Sequence, residues 1–139
     1  MNIERAIEIA VSAHRGQIDK AGQPYILHPL RVMLACNSEV ARIVAVLHDV
    51  VEDTDWTPDA LNNEGASEEI LYALDAVTKR EGESYPDFIE RAAANPIGRE
   101  VKISDVRDNM DLSRISAPTE ADLARMERYR GALSRLSSF

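Results

Sequence analysis

The sequence predicts an all-α domain, and three observations carry that prediction. Apolar residues recur at three- and four-residue spacing over most of the chain. No stretch shows the strict alternation of a half-buried strand. Ser, Thr and Pro stand where periodic segments begin, and Gly or Asn-Pro stands beyond several of their ends.

Taken in order, Ile3, Ala6, Ile7, Ala10, Val11 and His14 form one amphipathic stripe, closed by Gly16. Residues 17–27, with Gly22 and Pro24, read as a loop. Pro29 suits the first turn of a second helix carrying Leu30, Val32, Met33 and Leu34. Ser38 can cap a third helix, with Glu39 favourably placed in its first turn. That helix is expected to run through Val40, Ile43, Val44 and Leu47 to about Val51. Thr57-Pro58 starts a short helix ending near Gly65. Ser67 precedes another, with Ile70, Leu71, Leu74 and Val77 on one face. After the polar connection 80–84, Tyr85 to Ala94 is a short helix stopped by Asn95-Pro96. Ile97 to about Leu112 forms the next. Thr119 caps a last helix carrying Leu123, Met126, Tyr129, Leu133 and Leu136. The expectation is a bundle of about seven helices.

At 139 residues, one domain over residues 1–139 is expected. The net charge of −8 argues against a binder of nucleic-acid polymers, which needs a basic surplus. A small phosphorylated ligand needs only a local basic pocket or a metal, so it stays compatible. Cys36 is the single cysteine, which excludes an intrachain disulfide and a thiolate cluster. The start Met1-Asn2-Ile3-Glu4-Arg5 has no signal-peptide character, and no apolar run approaches the roughly 20 residues of a membrane span. A cytoplasmic location is expected.

The segment Leu47-His48-Asp49-Val50-Val51-Glu52-Asp53-Thr54 carries the chemistry. Five apolar residues, Ile43 to Leu47, run into a His-Asp pair, and Glu52 and Asp53 follow within a turn. On a continuous helix, His48 and Glu52 share a face, and Asp49 and Asp53 share another. Carboxylates at a helix C-terminus oppose the macrodipole, so this arrangement calls for a cation. His28, held at a helix start by Pro29, is the candidate second imidazole. Asp105 is the candidate second carboxylate, with Lys102 one turn before it and Asn109 one turn after. Two His and two Asp suit Mn, Fe or Zn better than Mg or Ca. His14 and Trp56 read instead as helix-end and packing residues.

Three blocks resemble a known family. Ala13-His14-Arg15-Gly16-Gln17 with Gly22-Gln23-Pro24-Tyr25-Ile26-Leu27-His28-Pro29 is the first. The His48-Asp49…Glu52-Asp53-Thr54 block is the second, and Lys102-Ile103-Ser104-Asp105 followed by Asn109-Met110 is the third. Together they resemble the HD-domain metal-dependent phosphohydrolases of the RelA/SpoT type, and among these the stand-alone small alarmone hydrolases. The resemblance covers residues 1 to about 135 and implies a helical HD-domain fold. It implies one metal per chain, usually Mn2+ (Fe, Zn or Co as substitutes), on His28, His48, Asp49 and Asp105. Glu52 and Asp53 would be the acidic pair that orients and deprotonates water. The implied reaction is removal of the 3′-pyrophosphate of (p)ppGpp, an alarmone of the stringent response, giving GDP or GTP and pyrophosphate. Lys20, Asn109, Arg125 and Tyr129 would contact this nucleotide. No synthetase or regulatory region is expected in this length.

Departures from the family pattern lie on the implied substrate rim. Asp19 stands where a base-stacking Arg is common, Val106 where Arg or Lys is usual, and Asp111 where Arg often follows Asn-Met. Asp19 could accept hydrogen bonds from a base edge. The base is therefore less determined than the reaction, and (p)ppApp, NADPH or a nucleoside monophosphate remain alternative substrates.

Overall fold

Seven helices of the chain begin on a capping side chain. Asn2, Ser38, Thr57, Ser67, Ser84, Asn95 and Thr119 each accept the backbone N–H three residues on. Each such cap is worth about 1 kcal/mol to its helix. The computed structural model describes residues 1–139. In it α1 spans Ile3–Ala13, α2 Leu27–Leu34, α3 Glu39–Leu47, α4 Val50–Asp53 and α5 Pro58–Asn63. The later helices are α6 Glu68–Ala76, α7 Tyr85–Ala93, α8 Pro96–Asn109 and α9 Glu120–Leu136, with a 3-10 turn at Leu112–Arg114. No strand forms; one isolated antiparallel bridge, Ile18 to Pro24, closes the loop after α1. The all-α expectation holds.

α3 is the hub. Every residue from Ile43 to Leu47 is buried on all sides, because α1, α2, α6 and α8 pack around it. This explains the continuous apolar run that precedes His48: a helix enclosed all round has no polar face. α8 joins two cores. Val101 belongs to the main cluster around α3, while Val106 packs with Ile89, Ala93, Ala132 and Leu136 of α7 and α9. Val106 is thus a packing residue, which accounts for the apolar side chain there. Gly98 allows α8 to approach closely, since a Cβ there would stand 3.1 Å from Ala76 Cβ and 3.3 Å from the Ala92 carbonyl.

Two helices differ from expectation. α8 ends at Asn109, and Leu112 starts the separate 3-10 turn. The third helix does not run unbroken to Val51; it stops at Leu47 and resumes at Val50. The physical reason is His48. Its Nδ1–H donates to the Ala45 carbonyl at 2.5 Å, and its backbone N–H reaches the same oxygen at 3.3 Å. That carbonyl is the one Asp49 N–H would otherwise use. The faces expected of a continuous helix over 48–53 are therefore offset by a break, and the bundle has nine α segments rather than about seven.

Truncating Ile43, 2% exposed in the hub, should cost about 2–5 kcal/mol as Ile43→Ala. Leu34→Ala, at a position 69% exposed, should change stability by under about 0.5 kcal/mol. Urea denaturation of the two variants measures the contrast, and equal effects would contradict the hub assignment.

Candidate metal centre and adjoining pocket

Two helix ends and one helix face deliver four side chains to one point. The start of α2 brings His28, the end of α3 brings His48 and Asp49, and the middle of α8 brings Asp105. His28 Nε2 lies 2.9 Å from Asp105 Oδ1 and 3.8 Å from Asp49 Oδ2. His48 Nε2 lies 3.1 Å from Asp49 Oδ2 and 3.3 Å from Asp105 Oδ1. Ligand atoms of His28, His48 and Asp49 all fall within 4.8 Å of one another. All four residues are buried. The groups selected in sequence as metal ligands are therefore brought together.

The donor chemistry fits a cation. A carbonyl oxygen can only accept, so His48 must donate from Nδ1, and the neutral ring presents a lone pair at Nε2. Nε2 faces two carboxylate oxygens, so positive charge must lie between them, either a second ring proton or a bound cation in its place. The ionisation pattern carries the same demand. Burial opposes charge on His48, yet Asp49 and Asp105 hold its pKa well above the imidazole range. Burial also opposes ionising Asp105, but Lys102 and then His48 hold its carboxyl well below the usual range. A divalent ion meeting two imidazole nitrogens and two carboxylate oxygens would satisfy all four groups.

Neighbouring residues hold these four in place. Lys102 Nζ donates to Asp105 Oδ2 at 2.7 Å, and Asn109 Nδ2 donates to Asp105 Oδ1 at 3.2 Å. The Tyr25 hydroxyl donates to Asp49 Oδ2. Burial and then the Asp49 charge push the Tyr25 pKa up, so it stays a donor. Glu52 and Asp53 extend from α4 immediately after this cluster. Both are exposed overall, but partial desolvation of their carboxyls, and then the charge of Asp49, raises their pKa above the ordinary range.

A cavity of about 290 Å³ opens beside His28. Lys20, Asn109, Arg125 and Tyr129, selected in sequence as nucleotide contacts, all line it. Glu52 and Asp53 do not. Arg31 and Arg114 also line it, and Asp108 joins them; sequence reasoning missed all three. A signal existed for two of them, since Arg31 is three residues after His28 and Asp108 three after Asp105, one turn along the same faces. Asp19 Oδ1 accepts the Ala21 and Gln23 backbone N–H groups, each at 2.9 Å. Asp111 caps the 3-10 turn through Ser113 and pairs with Arg114 at 2.9 Å. Both departures from the family pattern therefore brace their own loops.

No family model matches the chain. Relatives at the sequence level are found among large proteins. The chain is 34% identical over 129 residues to a probable GTP pyrophosphokinase of Mycobacterium leprae, covering 84% of this chain and 16% of that protein. It is 36% identical over 121 residues to a guanosine-3′,5′-bis(diphosphate) 3′-pyrophosphohydrolase of Aquifex aeolicus, covering 78% of this chain and 17% of that protein. The chain thus spans about a sixth of the length of these two relatives. Among solved structures, a metazoan ortholog of SpoT that hydrolyzes ppGpp shares the fold, with a TM-score of 0.79 at 22% identity. The match covers 96% of this chain and 84% of that one. The chain resembles a RelA/SpoT hydrolase-type domain. In that setting the buried His-Asp cluster becomes a candidate divalent-metal centre.

Titration with Mn2+ should saturate at one ion per chain and raise the melting temperature. At free metal about 100 times Kd, the stabilisation is about 2.7 kcal/mol. His48→Ala should abolish both effects, as read by calorimetry and thermal melts; a melting curve indifferent to Mn2+, Zn2+ and EDTA would sink the metal centre.

Proposed function

We propose that the chain is a metal-dependent hydrolase that removes the 3′-pyrophosphate of (p)ppGpp, leaving GDP or GTP and releasing pyrophosphate. The observation that carries this reading is the buried cluster of two imidazole nitrogens and two carboxylates beside a cavity whose lining includes Lys20, Arg31, Arg114 and Arg125 together with four aspartates. The 3′-pyrophosphohydrolase named among its relatives supports the choice of substrate. His28, His48, Asp49 and Asp105 hold one ion; the mixed N/O set suits Mn, Fe or Zn, and the family resemblance makes Mn2+ the first choice, with Fe, Zn or Co as substitutes. When bound, the cation polarises a phosphoryl oxygen and lowers the pKa of its water.

The remaining work falls to the chain's own groups. Glu52 and Asp53 orient the attacking water, and a carboxylate there accepts its proton. Their raised affinity for a proton suits that task. Lys20 and Arg125 meet phosphate charge in the cavity, Asn109 meets the sugar–phosphate region, and Tyr129 closes the wall. Four cations balance four aspartates in the cavity lining, so this region is less acidic than the chain as a whole, whose net charge is −8. The reading treats residues 1–139 as a single hydrolase domain working in the cytoplasm. No helix is long and apolar enough to cross a membrane.

One observation favours a second substrate reading. Asp19 is tied to its own loop at the position where a base-stacking cation would stand. Guanine loses a cation–π contact worth roughly 0.5–2 kcal/mol, so (p)ppApp, NADPH or a nucleoside monophosphate can compete for the site.

Incubated with ppGpp, the Mn2+-loaded protein should release pyrophosphate and GDP, and EDTA should stop it; release of monophosphate alone would refute the 3′-pyrophosphohydrolase assignment. Glu52→Gln should lower kcat about 10²–10⁴-fold while leaving the Mn2+ Kd within threefold. Unchanged turnover would remove Glu52 from the chemistry. Arg125→Ala should raise KM for ppGpp more than it lowers kcat, and comparison across guanine and adenine substrates reads the base preference.

A further inference from the structure

We propose that Asp108, locked in place by Arg31, is the positioning residue that sets the tautomer and basicity of His28. The inference rests on the metal-centre reading above and assigns a role to two residues outside the ligand set. Asp108 lies on α8 one turn beyond Asp105. Its Oδ2 accepts the His28 Nδ1–H at 2.6 Å, so it binds the ring nitrogen that does not face the cluster.

Arg31 holds the carboxylate end-on: Nε donates to Oδ1 at 2.8 Å and Nη2 to Oδ2 at 3.1 Å. Arg114 adds a bond from Nη2 to the Asp108 backbone carbonyl at 2.9 Å, with the same nitrogen 3.5 Å from Oδ2. Bonded to the Arg31 guanidinium through both oxygens, the carboxylate accepts on each and has no proton to donate. His28 must donate from Nδ1, which leaves Nε2 as the ring nitrogen facing the site, 2.9 Å from Asp105 Oδ1 and free to give its lone pair to a cation there.

The two imidazoles are thus held by different means. His48 is oriented by a backbone carbonyl, which no side-chain substitution removes. His28 depends on a side chain, and an ionised carboxylate on Nδ1 makes Nε2 a stronger donor than a neutral amide oxygen does. The guanidinium is specific to the task, because a planar fork fixes both carboxylate oxygens and an ammonium cannot. Arg31 follows His28 by three residues on α2, so ligand, orienting carboxylate and clamp form one closed unit between α2 and α8.

The test is Mn2+ affinity, measured by calorimetry and by electron paramagnetic resonance of free Mn2+, alongside thermal melts of each metal-free variant. Asp108→Ala should weaken Mn2+ binding about 10–100-fold, and Asp108→Glu should recover part of it. Asp108→Asn and Arg31→Gln should fall between, because a neutral acceptor or an unclamped carboxylate still reaches Nδ1. If Asp108→Ala does not fold, these last two variants carry the measurement. A Kd within twofold of wild type in every folded variant overturns the role of Asp108. Wild-type protein that binds no Mn2+, Zn2+ or Co2+ overturns instead the metal-centre reading on which the role depends.

Discussion

One buried carboxylate organises this molecule. Asp105 lies where α2, α3 and α8 meet, and it is shared by His28, His48, Lys102 and Asn109. Removing a carboxylate from water carries a penalty of several kcal/mol, which only multiple well-placed partners offset. The partners here come from three separate helices, so satisfying Asp105 demands the correct packing of all three. Lys102 neutralises one oxygen and leaves the other facing two imidazoles. The fold thereby places anionic character at a point where imidazole lone pairs also converge, the local condition for holding a cation.

The break between α3 and α4 follows from the same demand. A continuous helix would have kept the Ala45 carbonyl for a backbone partner. The His48 ring takes it instead, which turns Nε2 inward and carries Asp49 round to the same point. A backbone hydrogen bond is given up to orient a ring. The exchange is tolerable because the five residues before it are packed on all sides by four helices. The rigid hub lets an irregular turn sit in the interior without leaving α3 free to shift.

Much of this was legible in the sequence, for identifiable reasons. Ser38, Thr57, Ser67 and Thr119 marked helix starts because a short hydroxyl side chain reaches the backbone three residues on. His48 and Asp49 stood out because charged groups next to an apolar run need partners, whereas Asp105, an ordinary helix Asp by itself, was marked by the resemblance of its block to a known family. Asp108 and Arg31 did not stand out. An Asp and an Arg on helices are ordinary surface residues until their helices pack, and their partners lie 77 to 80 positions away in the chain. Asp19 and Asp111 were visible as departures from a pattern, yet that each braces its own loop is a matter of local geometry.

The sequence by itself determined the helical class, the separation of apolar and polar faces, and the His48-Asp49 pair at the end of an apolar run as groups that need partners. Those properties depend on residue type and near spacing, which a one-dimensional pattern records. Only the tertiary structure decided the interruption at His48-Asp49, the convergence of α2, α3 and α8 on Asp105, and the pairing of Asp108 with both His28 and Arg31. Each of these depends on satisfying buried polar groups across distant segments, and that requirement acts only once the helices are packed together.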